Sequence, residues 1–201
     1  MPRSSQRAAT RERILDAAAT CFRRRGYAAT GVDAVMAEAG LTHGGFYAHF
    51  PSKAELLVAT VAGCGNHPTR NPLFHSVAHL RGVELISGLI DAYLSRWHRD
   101  HPELGCPIPT LGPELPRVDR GLAPVIGGGL ARLGELLRAN LPPTADGADD
   151  AATRAQALLS LLIGSIVTAR ALGDADADVW LASGRLHARR IAGLPEPSHA
   201  Q

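Results

Sequence analysis

The sequence predicts an all-α protein, on three observations. Apolar residues recur three and four positions apart through almost every long segment, which is the period of an amphipathic helix. No segment shows the alternation of apolar and polar residues that is typical of a half-buried strand. Two short helical segments are joined through Ala39-Gly40-Leu41, which is the layout of a helix-turn-helix. We therefore expect an N-terminal three-helix helix-turn-helix domain followed by a C-terminal helical domain.

The first helix is predicted from its N-cap, its apolar face and its glycine stop. Residues 1–9 are polar and basic, and we expect them to form a flexible tail. Thr10 is a good N-cap, and apolar side chains recur at helical spacing from Ile14 to Phe22. Because Gly26 supplies a C-terminal stop, helix 1 is expected to end there.

Capping residues also predict the next three helix starts. Thr30 is placed to cap helix 2, and Asp33, three residues later, would complete a capping box. Thr42 is placed to cap helix 3 in the same way. A Pro-Ser pair then ends this helix, so a fourth helix is expected to begin at about Lys53.

The rest of the chain is expected to form long helices between Gly- and Pro-rich segments. We expect helices at residues 82–99, 122–141, 151–172 and 176–192. A connector at 63–82 precedes them, a segment at 104–116 has room for a short helix only, and a loop occupies 142–149. The run Gly127–Gly129 costs about 1 kcal/mol per residue relative to Ala, which predicts a kink or a close backbone approach. Residues 195–201 are expected to be disordered. These elements predict two domains, at residues 10–57 and 58–195.

Charge is distributed unevenly along the chain. Residues 1–53 carry eight Lys and Arg against four Asp and Glu, whereas the remainder carries 13 against 15. A basic N-terminal part followed by a mildly acidic remainder is typical of a protein that binds phosphates through its N-terminal part only.

The number of cysteines indicates the cellular compartment. Three cysteines, an odd number without metal-type spacing, favour a reducing cytoplasm. No signal peptide is expected, because no apolar run follows the polar first dozen residues.

The most apolar segment, residues 155–169, is predicted to be a buried helix. It is 15 residues long, lies between Arg154 and Arg170, and contains Gln156, Ser160 and Ser165. Because a bilayer requires about 20 apolar residues, the segment is too short to span a membrane.

The N-terminal stretch, from TRERILDAAATCFRRRGYAATGV at residues 10–32 through FYAHFPSKAELL at residues 46–57, resembles the DNA-binding domain of TetR/AcrR-type transcriptional regulators. The motifs match in order and spacing, which makes the resemblance specific. It implies a DNA-binding regulator, most often a repressor, whose second motif helix enters the major groove. It also implies a C-terminal helical domain that dimerises and encloses a small-molecule pocket.

Small residues at the start of the recognition helix would let its backbone approach base edges, and polar residues beyond them would reach phosphates. At Lys53, the dipole of the fourth helix and the side chain both favour an anion. Carried over residue by residue, the resemblance assigns DNA contact to Thr30, Thr42, His43, Gly44, Gly45, Tyr47, His49 and Lys53. The alternatives are a plain loop at the two glycines and ordinary surface positions at the aromatic and imidazole side chains. Phe46 and Phe50 are expected in the core.

The resemblance also implies that the C-terminal helices form the dimer interface and the effector pocket. Those at 151–172 and 176–192 have the apolar content to pair with their symmetry mates in a homodimer, with Ile163 and Ile166 on the seam. The alternative is burial within one subunit. Candidate pocket residues, for which plain core is the alternative, are Tyr93, Trp97, Cys106, Thr110, Leu111, Ile126 and Leu130. Their mixture of aromatic and aliphatic side chains favours a small apolar or aromatic effector.

Cysteines and histidines suggest two further possibilities. Cys106 lies at the expected start of a short helix, where a thiolate would be favoured, so a thiol-based electrophile sensor is an alternative to the pocket. A small buried hydrophobe is the plainer interpretation of this residue. Cys64 and His67, with His75 and His79 downstream, contain zinc-type ligands, but their spacing matches no zinc signature. We predict no metal site and no cofactor.

Two other classes of protein are alternatives to a regulator. An enzyme is not expected, because the chain has no nucleophile elbow, phosphate loop, dinucleotide fingerprint or convincing acid–base pair. An architectural or interaction protein without a sensor role is the remaining alternative, and the absence of an internal cavity would favour it.

Overall fold

The computed structural model describes residues 3–65, 67–118, 123–143 and 151–195. Within these ranges the regular elements are helices, which confirms the all-α prediction. In chain order the α-helices are α1 (Arg3–Arg25), α2 (Val32–Glu38), α3 (Lys53–Ala62), α4 (Pro72–Val77), α5 (Gly82–Tyr93), α6 (Arg96–Asp100), α7 (Ile108–Leu111), α8 (Leu115–Val118), α9 (Ala123–Asn140), α10 (Ala151–Ala171) and α11 (Asp174–Ala192). The described residues also form two 3₁₀ helices, at His43–Ala48 and Pro102–Leu104. Most of the expected loop at 142–149 and of the expected tail at 195–201 lies outside the described residues.

The chain divides into two compact units, which are Met1–Pro72 with Pro102–Gly129 and Leu73–His101 with Leu130–Gln201. In the first unit, α1, α2, the 3₁₀ helix His43–Ala48 and α3 bury one shared core. Leu111 and Leu115 belong to this core as well. A segment from the middle of the chain therefore packs on the helix-turn-helix. The division into domains at 10–57 and 58–195 stays a prediction.

Helix α1 begins earlier than expected. It starts at Arg3, so the prediction of a flexible tail is wrong for residues 3–9. Thr10 lies inside the helix, where its hydroxyl donates to the Gln6 carbonyl at 3.0 Å instead of capping. Gln, Arg and Ala are strong helix formers, so the helix continues upstream of Thr10 without a cap there.

The predicted capping box at the start of α2 is also wrong. The N-cap of α2 is Gly31, and no side chain caps it. Thr30 is fully buried, and its hydroxyl lies 3.2 Å from the Cys21 carbonyl and 2.7 Å from the Gly26 carbonyl. The hydroxyl therefore fastens the α1–α2 loop to α1. By contrast, α3 begins at Lys53 as predicted, and the Ser52 hydroxyl caps it by accepting from the Glu55 N–H at 3.1 Å.

The expected helix over 82–99 is two helices. α5 ends at Tyr93, and α6 begins at Arg96. Between them Ser95 acts as a new N-cap, because its hydroxyl accepts from the His98 N–H at 3.1 Å. The apolar period continues across this break, so periodicity alone did not reveal it.

The glycine run in α9 does not interrupt the helix. α9 continues from Ala123 to Asn140, and a Cβ atom at Gly127 or Gly129 would meet nothing within 4 Å. The close backbone approach expected at these two glycines is therefore absent. Such an approach does occur at Gly184 in α11, where a Cβ atom would lie only 2.9 Å from Ser165 Oγ of α10.

In the second unit, α10 packs on α11. Leu158, Leu162 and Ile166 of α10 are fully buried. By length and composition alone, α10 is apolar enough to cross a membrane. Its two end arginines instead fasten it within the unit: Arg154 donates to the Ile191 carbonyl at 3.0 Å, and Arg170 donates to the His98 carbonyl at 2.7 Å. These contacts are those of a core helix.

Candidate nucleic-acid interface

The turn of the helix-turn-helix is built on Gly40. Its φ of +65° is in the left-handed region that favours glycine. At this turn the Leu41 N–H donates to the Met36 carbonyl at 2.8 Å, and the Gly40 N–H donates to the Ala37 carbonyl at 3.0 Å. This pair of hydrogen bonds is a Schellman motif, which ends α2 and redirects the chain into the 3₁₀ helix His43–Ala48.

One side of the 3₁₀ helix is anchored in the core. Phe46 is fully buried, with its ring centroid 6.1 Å from that of the buried Phe50. A Cβ atom on Gly45 would lie 3.7 Å from Cε of Met36, so this glycine faces α2 at ordinary contact distance. The core thus fixes which side of the short helix points outward, and the placement of both phenylalanines agrees with the expectation.

The opposite side of the 3₁₀ helix is exposed. Tyr47 is 63% exposed, and its ring contacts the edge of Phe46 with centroids 5.2 Å apart. Thr42 is the N-cap but makes no side-chain capping bond, which leaves its hydroxyl available. A Cβ atom on Gly44 would meet nothing within 4 Å, so the backbone there is open to a ligand. Three of the predicted contact residues therefore share one accessible face.

His43 lies at the start of this exposed helix and is paired with α2. Its Nδ1 lies 2.5 Å from Oδ1 of Asp33, and both side chains are largely exposed. Because a surface pair of this kind contributes little to stability, its main effect is to orient the imidazole. The His43 ring lies beside Tyr47, whose ring centroid is 6.1 Å away.

Lys53 occupies the N-terminus of α3 and rests on an aromatic ring. Its Nζ lies 4.1 Å from the centroid of Tyr27, which is a cation–π contact. Partial burial lowers the pKa of Lys53 below its ordinary value, while the charge of Glu114 acts in the opposite direction. A cation at the positive end of a helix dipole does not stabilise the helix, but both together attract an anion. The geometry suits a phosphate oxygen.

Two predicted contacts differ from expectation. Thr30 is buried and its hydroxyl is used internally, so its side chain is not presented to DNA. His49 is half-buried, and its Nδ1 is enclosed without a hydrogen-bond partner among the described residues. Of the two ring nitrogens of His49, Nε2 is therefore the one that could contact a phosphate.

Three arginines of α1 brace the helix-turn-helix, and sequence reasoning missed them. Arg7 Nη2 donates to the Ala48 carbonyl at 2.8 Å, and Arg13 Nη2 donates to the Ala39 carbonyl at 2.6 Å. The Arg11 guanidinium lies 4.8 Å from the centroid of the Phe50 ring. The available signal was the four-residue spacing of Arg7 and Arg11, which places both on one helix face.

Comparison with known proteins agrees with this geometry. Residues 14–60 match the family model described as bacterial regulatory proteins, tetR family. An uncharacterized HTH-type transcriptional regulator of Mycobacterium tuberculosis, recorded in two strains, is 31% identical over 199 residues, which cover 94% of this chain and 97% of the relative. The chain belongs to the TetR family of bacterial transcriptional regulators. It is therefore a DNA-binding protein and not an enzyme.

Solved structures of other proteins have the same fold. A regulator from Chloroflexus aurantiacus is 25% identical, with a TM-score of 0.73 and coverage of 94% of this chain and 95% of that one. The reduced form of NemR from Escherichia coli gives a TM-score of 0.74 at 18% identity, with coverage of 94% and 99%. These matches extend over nearly the whole chain, so the C-terminal helices share the TetR-family fold as well.

The seven candidate pocket residues of this TetR-family chain lie in different surroundings. In the second unit, Tyr93 is buried against Phe74 and His98, with ring centroids 6.4 and 4.6 Å away. Trp97 is 41% exposed and stacked on His101, so it lies on the surface and not in the interior as expected.

In the first unit, Leu111 is part of the core beneath the helix-turn-helix, and Ile126 packs against that core. Thr110 is half-buried. Cys106 is buried, which favours its interpretation as a small hydrophobe over an exposed reactive thiol. Leu130 is the candidate that lines a groove, which is described below with the proposed effector.

The histidine and cysteine set shows no metal-type cluster. Among the described residues, no three His, Cys, Asp or Glu side chains are grouped so that they could hold a metal ion. His67 Nδ1 accepts from the Arg70 N–H at 3.3 Å. Cys64 is buried, and its burial raises the pKa of the thiol, opposed by Arg23 and Arg70.

Proposed function

We propose that the protein is a homodimeric repressor that binds a near-palindromic operator and is released from it by a small apolar or aromatic molecule. The observation that carries the DNA-binding part is the exposed face formed by Thr42, Gly44 and Tyr47, with Lys53 at the start of the next helix. The core residues Phe46 and Phe50 hold this face outward. One recognition helix per subunit requires two subunits to read two half-sites, whose major grooves lie about 34–36 Å apart. Such a protein would act in the cytoplasm.

The dimer proposal rests on exposed apolar side chains of α10 and α11. Val179 and Trp180 of α11, and Val167 of α10, are exposed although they are large and apolar. Gly164, three residues before Val167 on α10, is also exposed, and a Cβ atom there would meet nothing within 4 Å. Exposed apolar patches of this kind mark interaction sites, and two helices from each subunit would form a four-helix interface. Ile166, which the sequence placed on the seam, is instead buried inside the unit.

The effector proposal is supported by a groove between α9 and α10. It has a volume of about 430 Å³, within the range typical of small-molecule sites, and its apolar lining includes Leu130, Leu159 and Ile163. Gln156 and Ser160 add polar groups that could orient a ligand. One solved protein of this fold, RolR, at 18% identity, was determined in complex with resorcinol, a small aromatic molecule.

The proposed function is tested first by a gel shift with the DNA that flanks the gene of this protein. A specific, salt-sensitive shift is expected, because regulators of this type commonly control adjacent genes. The shifted complex is then titrated with apolar and aromatic compounds, which are expected to release the DNA. Release by a divalent metal that a chelator reverses would replace the proposed effector with a metal. Release only by thiol-reactive compounds, lost in Cys106→Ser, would move the sensor to that cysteine.

Replacing Lys53, the single lysine of the chain, with Ala is expected to weaken binding to operator and unrelated DNA alike. Each phosphate contact releases counterions, so the slope of log affinity against log salt should fall by about one per subunit. Arg132→Ala, which removes an exposed cation from α9, is the matched control and should change neither quantity. Equal affinity and slope for Lys53→Ala and the wild type would remove Lys53 from the interface.

A further inference from the structure

A carboxylate from the middle of the chain is hydrogen-bonded to the loop that precedes the helix-turn-helix. Glu114, in the turn before α8, accepts from the Tyr27 N–H at 2.9 Å and from the Ala28 N–H at 3.2 Å, both through Oε2. Both amides belong to the α1–α2 loop, and all three residues lie in the first compact unit. Two amides that would otherwise need other partners at this bend are thus satisfied by one side chain.

Gly26 makes room for this carboxylate. A Cβ atom at Gly26 would lie closer to Oε1 of Glu114 than real Cβ atoms approach. Its φ of +81° is also in the region that favours glycine. The absence of a side chain at Gly26 therefore leaves space for the Glu114 carboxylate against the loop backbone.

The same loop supports the cation that is expected to contact DNA. Tyr27, whose amide is held by Glu114, carries the ring on which Lys53 Nζ rests at 4.1 Å. The Tyr27 ring also packs against Phe22 of the core, with ring centroids 5.5 Å apart. A continuous set of contacts thus runs from Glu114 through Tyr27 to the ammonium group of Lys53.

We propose that Glu114 is a positioning residue for DNA binding: by holding both amides of the α1–α2 loop, it keeps the Tyr27 ring beneath Lys53 and directs the ammonium toward a phosphate. The inference rests on the proposed role of Lys53. Glu114 belongs to Pro102–Gly129, a segment that is also fastened to α1 by the Arg23 guanidinium, which donates to the Gly105 carbonyl at 2.5 Å. A displacement of this segment would therefore change the position of Lys53 and weaken DNA binding.

The sign of the effect distinguishes positioning from plain electrostatics. Glu114 is an anion in a unit that is expected to approach phosphates, so removing its charge should strengthen DNA binding if only charge mattered. Positioning predicts the opposite, because Lys53 loses its supported orientation when the loop is released. Glu114→Gln removes the same charge as Glu114→Ala but keeps an amide oxygen that can accept from the loop.

The test is a double-mutant cycle on operator affinity in the full-length protein, with circular dichroism to verify folding. Glu114→Ala is expected to weaken binding about three- to ten-fold, and Glu114→Gln to restore most of the loss. In the Lys53→Ala background, Glu114→Ala should have almost no further effect on operator affinity.

A second variant tests the same contacts through the aromatic ring. Tyr27→Leu leaves the loop amides in place and removes the ring. It should reproduce the loss, and it provides the test if Glu114→Ala does not fold. Glu84→Ala, at an exposed position of α5, is the carboxylate control and should bind as the wild type does.

Unchanged or tighter binding by Glu114→Ala, or additive effects of the Glu114 and Lys53 substitutions, would overturn the inference. In the Tyr27→Leu arm, affinity equal to the wild type would do the same. Failure of the proposed function is distinguishable, because the wild-type protein would then bind no operator at any salt concentration.

Discussion

Replacing Val179 with Asp is expected to convert the proposed dimer into monomers and to lower operator affinity by about 10²- to 10⁴-fold. Val179 is 72% exposed on α11 and is adjacent to Trp180, which is also exposed. A carboxylate at this position would have to be buried without a partner when the proposed interface forms, which costs several kcal/mol. A monomer binds one half-site only, so the gain from simultaneous engagement of two half-sites disappears.

Sedimentation velocity gives the oligomeric state of the Val179→Asp variant, and a titration with operator DNA gives its affinity. The matched control is Val83→Asp in the first turn of α5, since Val83 is likewise apolar and 46% exposed but lies on neither α10 nor α11. The control is expected to remain dimeric and to bind DNA fully. If Val179→Asp also remained dimeric and active, the interface would have to lie on a different surface.

The fold of the DNA-binding part could be predicted because its determinants are local. The Gly40 turn depends on a left-handed glycine, and the start of α3 depends on a hydroxyl that caps an amide three residues later. The outward and inward sides of the 3₁₀ helix follow from alternately polar and apolar neighbours such as Phe46 and Tyr47. Spacing of a few residues is sufficient to read such features from one sequence.

The sequence misled where a side chain had two possible uses. Thr30 has the residue type and spacing of an N-cap, but its hydroxyl turns inward to the carbonyls of Cys21 and Gly26. Ser95 has the same capability, and it does cap a helix, in the middle of an apolar run that reads as continuous. Whether such a hydroxyl caps a helix or donates to a buried carbonyl depends on tertiary packing. The periodicity of the sequence contains no information on this packing.

Contacts between distant segments could not be predicted at all. Arg7 meets Ala48 across 41 positions of sequence, and Glu114 meets Tyr27 across 87. No local spacing encodes either pairing. The environments of the candidate pocket residues could not be predicted either. The apolar stripe that contains Tyr93 and Trp97 is divided by the end of α5. As a result, the Tyr93 ring is buried and the Trp97 ring is on the surface.

Phe46 and Tyr47 are adjacent aromatic residues with opposite environments, and their alanine variants are expected to separate folding from DNA binding. Phe46 is fully buried and contacts the rings of Tyr47 and Phe50, so Phe46→Ala removes core volume that the short helix cannot refill. Such a change costs about 3–5 kcal/mol, a large part of the roughly 5–15 kcal/mol that stabilises a typical domain. We therefore expect a much lower denaturation midpoint and loss of operator binding for Phe46→Ala.

Tyr47→Ala is expected to behave differently, because this side chain is 63% exposed and supports no core volume. Its free energy of unfolding should stay within about 0.5 kcal/mol of the wild type, as for most surface substitutions, while operator affinity falls several-fold. Urea denaturation and operator titration at one fixed salt concentration give the two quantities for each variant. Wild-type affinity in Tyr47→Ala would remove its ring from the interface, and wild-type stability in Phe46→Ala would show that the 3₁₀ helix is held by other contacts. Loss of binding in both variants, with loss of stability only in Phe46→Ala, is the result that the opposite burial of these two neighbours requires.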